Sequence, residues 1–264
     1  MRTEPVWSWA ACGKHPAARD FLRIGQDQPL VQSFSEWAAK GYQVLTSQGN
    51  AGKDPLSWRF WARGGPKGTL VCGLIRDSSD SLGRCYPLLI MGGGLLQDWE
   101  DCWDLLPFAC EKTWSEFEYI STRIFQDFDI LKKNVENIEP PEPRWTDFRE
   151  KRKASLGGEA IADIPILLND NDILKGQVRL LTDKSEGIVS LDQKPFHDQL
   201  EVVSCMHALL KQQTAVAPSA VFVGGTVDKS FLALFQRPLL TDDFVRLWSI
   251  PMEDIRELGT LNSP

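Results

Sequence analysis

Leu56-Ser57-Trp58-Arg59-Phe60-Trp61-Ala62-Arg63-Gly64-Gly65-Pro66-Lys67-Gly68-Thr69-Leu70-Val71-Cys72-Gly73-Leu74-Ile75 reads as two strands and the turn between them. Leu56 to Ala62 and Thr69 to Ile75 are rich in aromatic, aliphatic and β-branched residues, and Arg63 to Gly68 holds three glycines and a proline. Apolar runs bounded by such breakers are the signature of a hairpin. Downstream, Pro87 to Met91 is a third apolar run, and Gly92-Gly93-Gly94 reads as a flexible connection after it. Upstream, Val6-Trp7-Ser8-Trp9-Ala10 alternates as a short strand, and Cys12 to Asp27 reads as a loop. Pro29 can open a helix, because its missing N–H is not needed there, and Leu30, Phe34, Trp37, Ala38 and Leu45 then share a face.

Helical spacing is strongest after the glycines. Trp99, Cys102, Trp103 and Leu106 form one amphipathic series that Pro107 interrupts. Cys110, Trp114, Phe117, Ile120, Ile124, Phe128, Leu131 and Val135 continue it as one long core-facing stripe. Its outer side is acidic: Asp98, Glu100, Asp101, Asp104, Glu111, Glu116 and Glu118 meet only Lys112 between positions 98 and 118. That row reads as a solvated face, with a basic partner as its functional alternative. Residues 138–160, with Pro140, Pro141, Pro143 and the cations Arg144, Arg149, Lys151, Arg152 and Lys153, read as a Pro-rich, basic linker. Beyond it, Leu200, Val203, Met206 and Leu210 indicate a helix, and Ser219 to Val223 and Phe231 to Phe235 indicate strands. Thr241 caps a last helix whose first turn carries Asp242 and Asp243. Strands and helices mix along the whole length. The expected fold is therefore α/β, a mixed-sheet α/β/α sandwich with helices on both faces. Residues 1–137 form an N-terminal α/β domain, and 161–264 form a C-terminal α/β portion or complete the same sandwich.

The 264 residues carry a net charge of −7 and ten tryptophans. An acidic chain has no bulk electrostatic reason to approach nucleic acid or anionic lipid, and the indoles need well-packed layers. No run approaches the roughly 18 apolar residues of a membrane span, and the opening residues show no signal-peptide core. The six cysteines form no CxxC pair and lie mostly in apolar segments, which suits reduced thiols and a cytoplasmic location.

Catalytic signatures fail one by one. Gly13-Lys14 and Gly52-Lys53 lack the remaining glycine and hydroxyl of a phosphate loop, and Gly92-Gly93-Gly94 lacks dinucleotide-loop spacing. His15, His197 and His207 include no pair one helical turn apart, so no metal site and no cofactor are expected. No GxSxG elbow is present. A hydrolase or transferase site built from Cys12, His15, Asp20 and Arg84 remains an alternative, because triad partners meet in space rather than in order. The main expectation is a non-enzymatic protein.

Trp9 followed by Gly13-Lys14-His15-Pro16-Ala17-Ala18-Arg19-Asp20-Phe21 resembles the opening signature of the TagF/ImpM family, Gly-Lys-Leu-Pro and then Gly-Asp-Phe. Trp58-Arg59-Phe60 is similar to the family's Trp-Arg-Phe strand. Ser78-Ser79-Asp80-Ser81-Leu82-Gly83-Arg84-Cys85-Tyr86-Pro87-Leu88 resembles its Ser-x-Asp-x-x-Gly-Arg-x-aromatic-Pro-Leu segment. The three motifs stand in order and together span about the first 137 residues. His15 replaces the usual Leu and Arg19 the usual Gly, which implies a loop that differs from the pattern. In their own right, Gly13 and Pro16 shape a turn, Asp20 can cap neighbouring N–H groups, and Arg84 can bridge to Asp80 or to Asp20 with its planar fork.

The resemblance implies a mixed α/β sandwich and a regulatory role. TagF-like proteins are post-translational repressors of bacterial type VI secretion, associated with the forkhead-associated-domain scaffold protein of that system. Some carry a fused protein phosphatase, whose paired-aspartate metal motifs this tail lacks. Gly13, Lys14, Pro16, Asp20, Phe21, Arg59, Asp80, Gly83 and Arg84 become candidate partner-binding residues. A structural or assembly subunit of the secretion apparatus is the other non-catalytic expectation.

Overall fold

A computed structural model describes residues 7–25, 29–49, 55–125, 127–155, 172–192, 199–214 and 216–260. Eight strands form one sheet: β1 (Ser8–Gly13), β2 (Leu22–Ile24), β3 (Ser57–Arg63), β4 (Thr69–Arg76), β5 (Leu88–Leu95), β6 (Glu186–Ser190), β7 (Ala220–Gly225) and β8 (Ser230–Phe235). Their spatial order is β2-β1-β5-β4-β3-β7-β8-β6. Every neighbouring pair runs antiparallel, so the sheet is not mixed as expected. The connections explain this. Short turns join β3 to β4 and β7 to β8, and such turns allow only antiparallel pairing. The hairpin read from the sequence forms in register, from Ser57 opposite Arg76 to Arg63 opposite Leu70. Gly68, at φ +76°, turns the chain through the left-handed region that glycine favours.

Alternate residues of these strands feed two cores. Trp58, Phe60, Val71, Ile75, Phe222 and Phe235 pack under α1 (Pro29–Ser47) and the last helix. Trp61, Leu70, Cys72, Leu74, Val221 and Leu234 pack under the others: α2 (Leu106–Thr122), α3 (Phe128–Glu136), α4 (Trp145–Ser155), α5 (Asp172–Thr182) and α6 (Gln199–Gln213). With α7 (Thr241–Thr260), the described residues hold seven α-helices, on both faces of the sheet as expected. The β3–β7 ladder joins the N-terminal and C-terminal strands in one sheet.

Four local readings change. Gly92-Gly93-Gly94 is the second half of β5 rather than a connection. The indoles of Trp9 and Trp7 lie across the strand, and a Cβ on Gly92 or Gly94 would stand 2.0 or 2.6 Å from them. Cys12 and Gly13 belong to β1, and β2 lies within the expected loop. Pro107 opens α2 from its first turn instead of interrupting a helix. The long stripe breaks in two after Thr122: Asp127 caps α3 by accepting from the Asp129 N–H at 3.1 Å, and Ile124, expected in the core, is 77% exposed.

The expected linker also differs over its described part. Residues 145–155 form α4, with Trp145 buried and its Nε1 donating to Gln97 O at 2.9 Å. Arg152 is only 4% exposed and reaches Asp104 at 2.6 Å. Composition suggested an exposed segment, but guanidinium and ammonium groups can be buried where carboxylates already wait. Gly157 and Gly158 lie outside the described residues, as do Gly52, Lys53 and His197.

Candidate partner-binding site

Two loops carrying the first and third motifs meet at one end of the sheet, beside the β1–β2 edge. In the first, Pro16 and Ala17 are the central residues of a turn closed by the Ala18 N–H donating to His15 O at 2.9 Å. Proline suits the first central position because its φ is preset. Gly13, which precedes the turn, sits at φ +120°, and a Cβ there would lie 2.0 Å from Pro87 O. In the second loop, Gly83 at φ +77° closes another turn by donating to Asp80 O at 2.9 Å. The Ser81 N–H donates to Ala18 O at 2.9 Å and stitches the loops together.

Asp80 is the hub. Its carboxylate is buried, yet it accepts from the Leu82 and Arg84 N–H groups at 3.0 Å each and from Arg84 Nε at 2.7 Å, while Lys14 Nζ stands at 3.2 Å. Burial alone would push its pKa up, but the Arg84 N–H, the two cations and the Leu82 N–H outweigh that and hold it at about 2. Arg84 bridges to both expected carboxylates: Asp80 closely, and Asp20 through Nη2 at 3.5 Å. It also donates to Arg19 O at 2.7 Å. Asp20 caps its neighbour as expected, accepting from the Phe21 N–H at 2.8 Å. Seven of the nine candidates (Gly13, Lys14, Pro16, Asp20, Asp80, Gly83, Arg84) are thus parts of one hydrogen-bonded knot, with Phe21 adjoining it.

Arg59 is engaged elsewhere. It forms a two-point pair with Glu118 of α2, Nε to Oε1 at 2.6 Å and Nη2 to Oε2 at 2.8 Å. The pair borders a cleft of about 320 Å³ that also takes in Arg76, Gln199 and Ser230.

The two departures from the family pattern have physical accounts. His15 is fully buried. Its Nε2–H donates to Ile120 O at 3.0 Å, while Nδ1 accepts from the Ala17 N–H at 3.1 Å, which anchors the first loop to α2 as no leucine could. Burial lowers its pKa. Arg19 has no positive φ, since Asp98 is the only such non-glycine among the described residues, so the backbone makes no demand for glycine there.

The catalytic alternative around Cys12, His15, Asp20 and Arg84 is not assembled. Both ring nitrogens of His15 are taken by backbone groups. The Cys12 side chain lies in the core under α1, whereas His15 packs against Phe125 on the opposite side of the sheet. Only Asp20 and Arg84 come together. The six cysteines form no disulfide, and among the described residues no group of His, Cys, Asp or Glu is placed to hold a metal. No helix among them is long and apolar enough to cross a membrane.

The acidic row on α2 and before it is mostly neutralised by distant cations. Glu100 pairs with Arg63, Asp104 with Arg152 and Lys211, Glu111 with Lys151, and Glu118 with Arg59. A basic partner is left little to read there. What periodicity missed is an aromatic group beside the knot: Phe21 meets Tyr86 edge-on at 5.2 Å, and Tyr86 meets Tyr42 at 5.1 Å. Only the short sequence distance from Tyr86 to Arg84 could have flagged it.

Among solved structures, the fold is similar to that of PA0076 from Pseudomonas aeruginosa PAO1, with a TM-score of 0.49 at 17% identity over 91% of this chain and 94% of that one. No curated protein matches the sequence. Residues 10–136, which include both motif loops, most of β1 and strands β2 to β5, match the TagF N-terminal domain family, described as type VI secretion system-associated. Residues 10–136 of this chain therefore form a TagF N-terminal domain, of the family described as type VI secretion system-associated.

Proposed function

We propose that the protein is a non-enzymatic, cytoplasmic, post-translational negative regulator of type VI secretion, which acts by binding the forkhead-associated-domain scaffold protein of the apparatus. The observation that supports this best is the Asp80 knot. Four interactions on one buried carboxylate hold two loops rigid and leave Asp20, Leu82 and Arg84 at the surface. A preorganised, exposed surface loses little conformational entropy when a protein docks on it. The commitment of both His15 nitrogens to backbone groups speaks for binding over turnover at this place.

Deleting the gene in its native host should raise secretion of the system's substrates, and affinity purification of the tagged protein should recover the scaffold. Unchanged secretion together with an empty pull-down would sink the proposal. Recovery in fixed stoichiometry with assembled baseplate or sheath would instead favour a structural subunit.

A further inference from the structure

The knot explains why the loops are rigid but not what their outer side is for. On that side, Leu82 is 67% exposed at the tip of the second loop, and the Arg84 side chain is half exposed. The Arg19 and Arg23 side chains are also exposed. Arg23 lies over the ring of Phe21, 5.3 Å from its centroid, and Phe21 leads into the half-buried Tyr86 and Tyr42 rings. The two loops and the adjoining β2 carry four cations (Lys14, Arg19, Arg23, Arg84) against three carboxylates (Asp20, Asp77, Asp80), in a chain whose net charge is −7. Lys14 and Asp80 neutralise each other in the interior. Neither Arg19 nor Arg23 makes an ion pair among the described residues.

We propose that the face formed by Arg19, Arg23 and Arg84, together with Leu82 and the Phe21–Tyr86 pair, is where an acidic segment of the scaffold protein docks. This rests on the regulatory reading above and assigns it a surface and a partner chemistry. Aromatic and arginine side chains on a rigid backbone are the composition in which binding energy concentrates. Guanidinium groups match carboxylates two-pronged, which a lysine cannot reproduce. The local excess of positive charge is opposite in sign to the rest of the molecule, so an acidic segment would be drawn to this face and repelled elsewhere. Leu82 supplies an apolar contact beside the charges.

The test is titration of the purified scaffold protein with the purified full-length chain, at low and at raised salt. The double reversal Arg19→Glu/Arg23→Glu leaves the knot in place and removes only the contact of Arg23 with the Phe21 ring, so its thermal midpoint should stay near that of the wild type. Its affinity should fall about tenfold or more, and the salt dependence should flatten. Arg19→Lys/Arg23→Lys should recover part of the loss. Lys67→Glu/Lys184→Glu, the same charge change on exposed residues away from these loops, should bind as the wild type does. Scaffold binding left intact by the arginine reversal, or weakened as much by the lysine reversal, overturns the assigned surface and leaves the regulatory function standing. A wild-type chain that does not bind the scaffold overturns both.

Discussion

The indole Nε1–H of Trp61 donates to Nε2 of His207 over 3.2 Å, joining β3 to α6 across 146 positions of sequence. Nδ1 of the same ring donates to Val203 O at 2.8 Å, so both nitrogens are used by the neutral imidazole and a proton added to Nε2 would displace the indole. Burial holds the His207 pKa at about 4, against 6.5 for an unconstrained histidine.

Acid should therefore weaken the fold through His207. The unfolded chain takes up this proton below about pH 6.5, and the folded one only near pH 4. The contribution is intact above the first value and lost as pH falls to the second, by up to roughly 3 kcal/mol. Chemical denaturation at pH 7, 5.5 and 4.5 should show this slope. His207→Gln should flatten it, and an unchanged slope in that variant would refute the assignment.

Arg152 and Asp104 give a second prediction. Both side chains are almost inaccessible, and Lys211 supports Asp104 from the other side at 2.6 Å. Removing one member of a buried pair leaves the other charge stranded, so Arg152→Ala should cost about 3 kcal/mol, the low end of the usual range because Lys211 remains. A double-mutant cycle with Asp104→Asn should show strong coupling, and additive losses would argue against the pair.

Gly92 tests the reading of β5. A side chain there must displace the Trp9 indole, so Gly92→Val should cost about 1–3 kcal/mol by overpacking. Gly65, in the β3–β4 turn, meets nothing within 4 Å of an added Cβ. Gly65→Ala should leave the thermal midpoint nearly unchanged, which makes it the matched control.

Asp80→Asn should loosen the loops more than the body of the protein. The amides of Leu82 and Arg84 lose a charged acceptor, and Lys14 and Arg84 lose their shared partner. Hydrogen exchange should quicken at residues 14–20 and 81–86 while the strands keep their protection. Uniform exchange across the chain would show that Asp80 supports the whole fold instead.

Much of the architecture could be read from short stretches, because each element announces itself locally. The hairpin from Leu56 to Ile75 needs only two apolar runs and a glycine-rich turn, and α1 only Pro29 and its spaced aromatics. The motifs at Gly13 to Phe21 and Asp80 to Arg84 were visible as residues, and even the Arg84 bridges to Asp80 and Asp20 could be expected. What could not be read were choices that depend on neighbours distant in sequence. Glycines 92 to 94 sit in a strand whose Gly92 and Gly94 are covered by the indoles of Trp9, in β1, and of Trp7 just before it.

Sequence alone determined the α/β class, the hairpin, the motif residues and the absence of a charge balance suited to nucleic acid, since these follow from local propensity and composition. The tertiary structure alone decided that the sheet is antiparallel, that the acidic row is spent on Arg59, Arg63, Lys151 and Arg152, and that His15 is an anchor rather than a base. Each of those depends on which group occupies the few ångströms beside a side chain, and folding brings that neighbour from as far as 105 residues away in the case of His15.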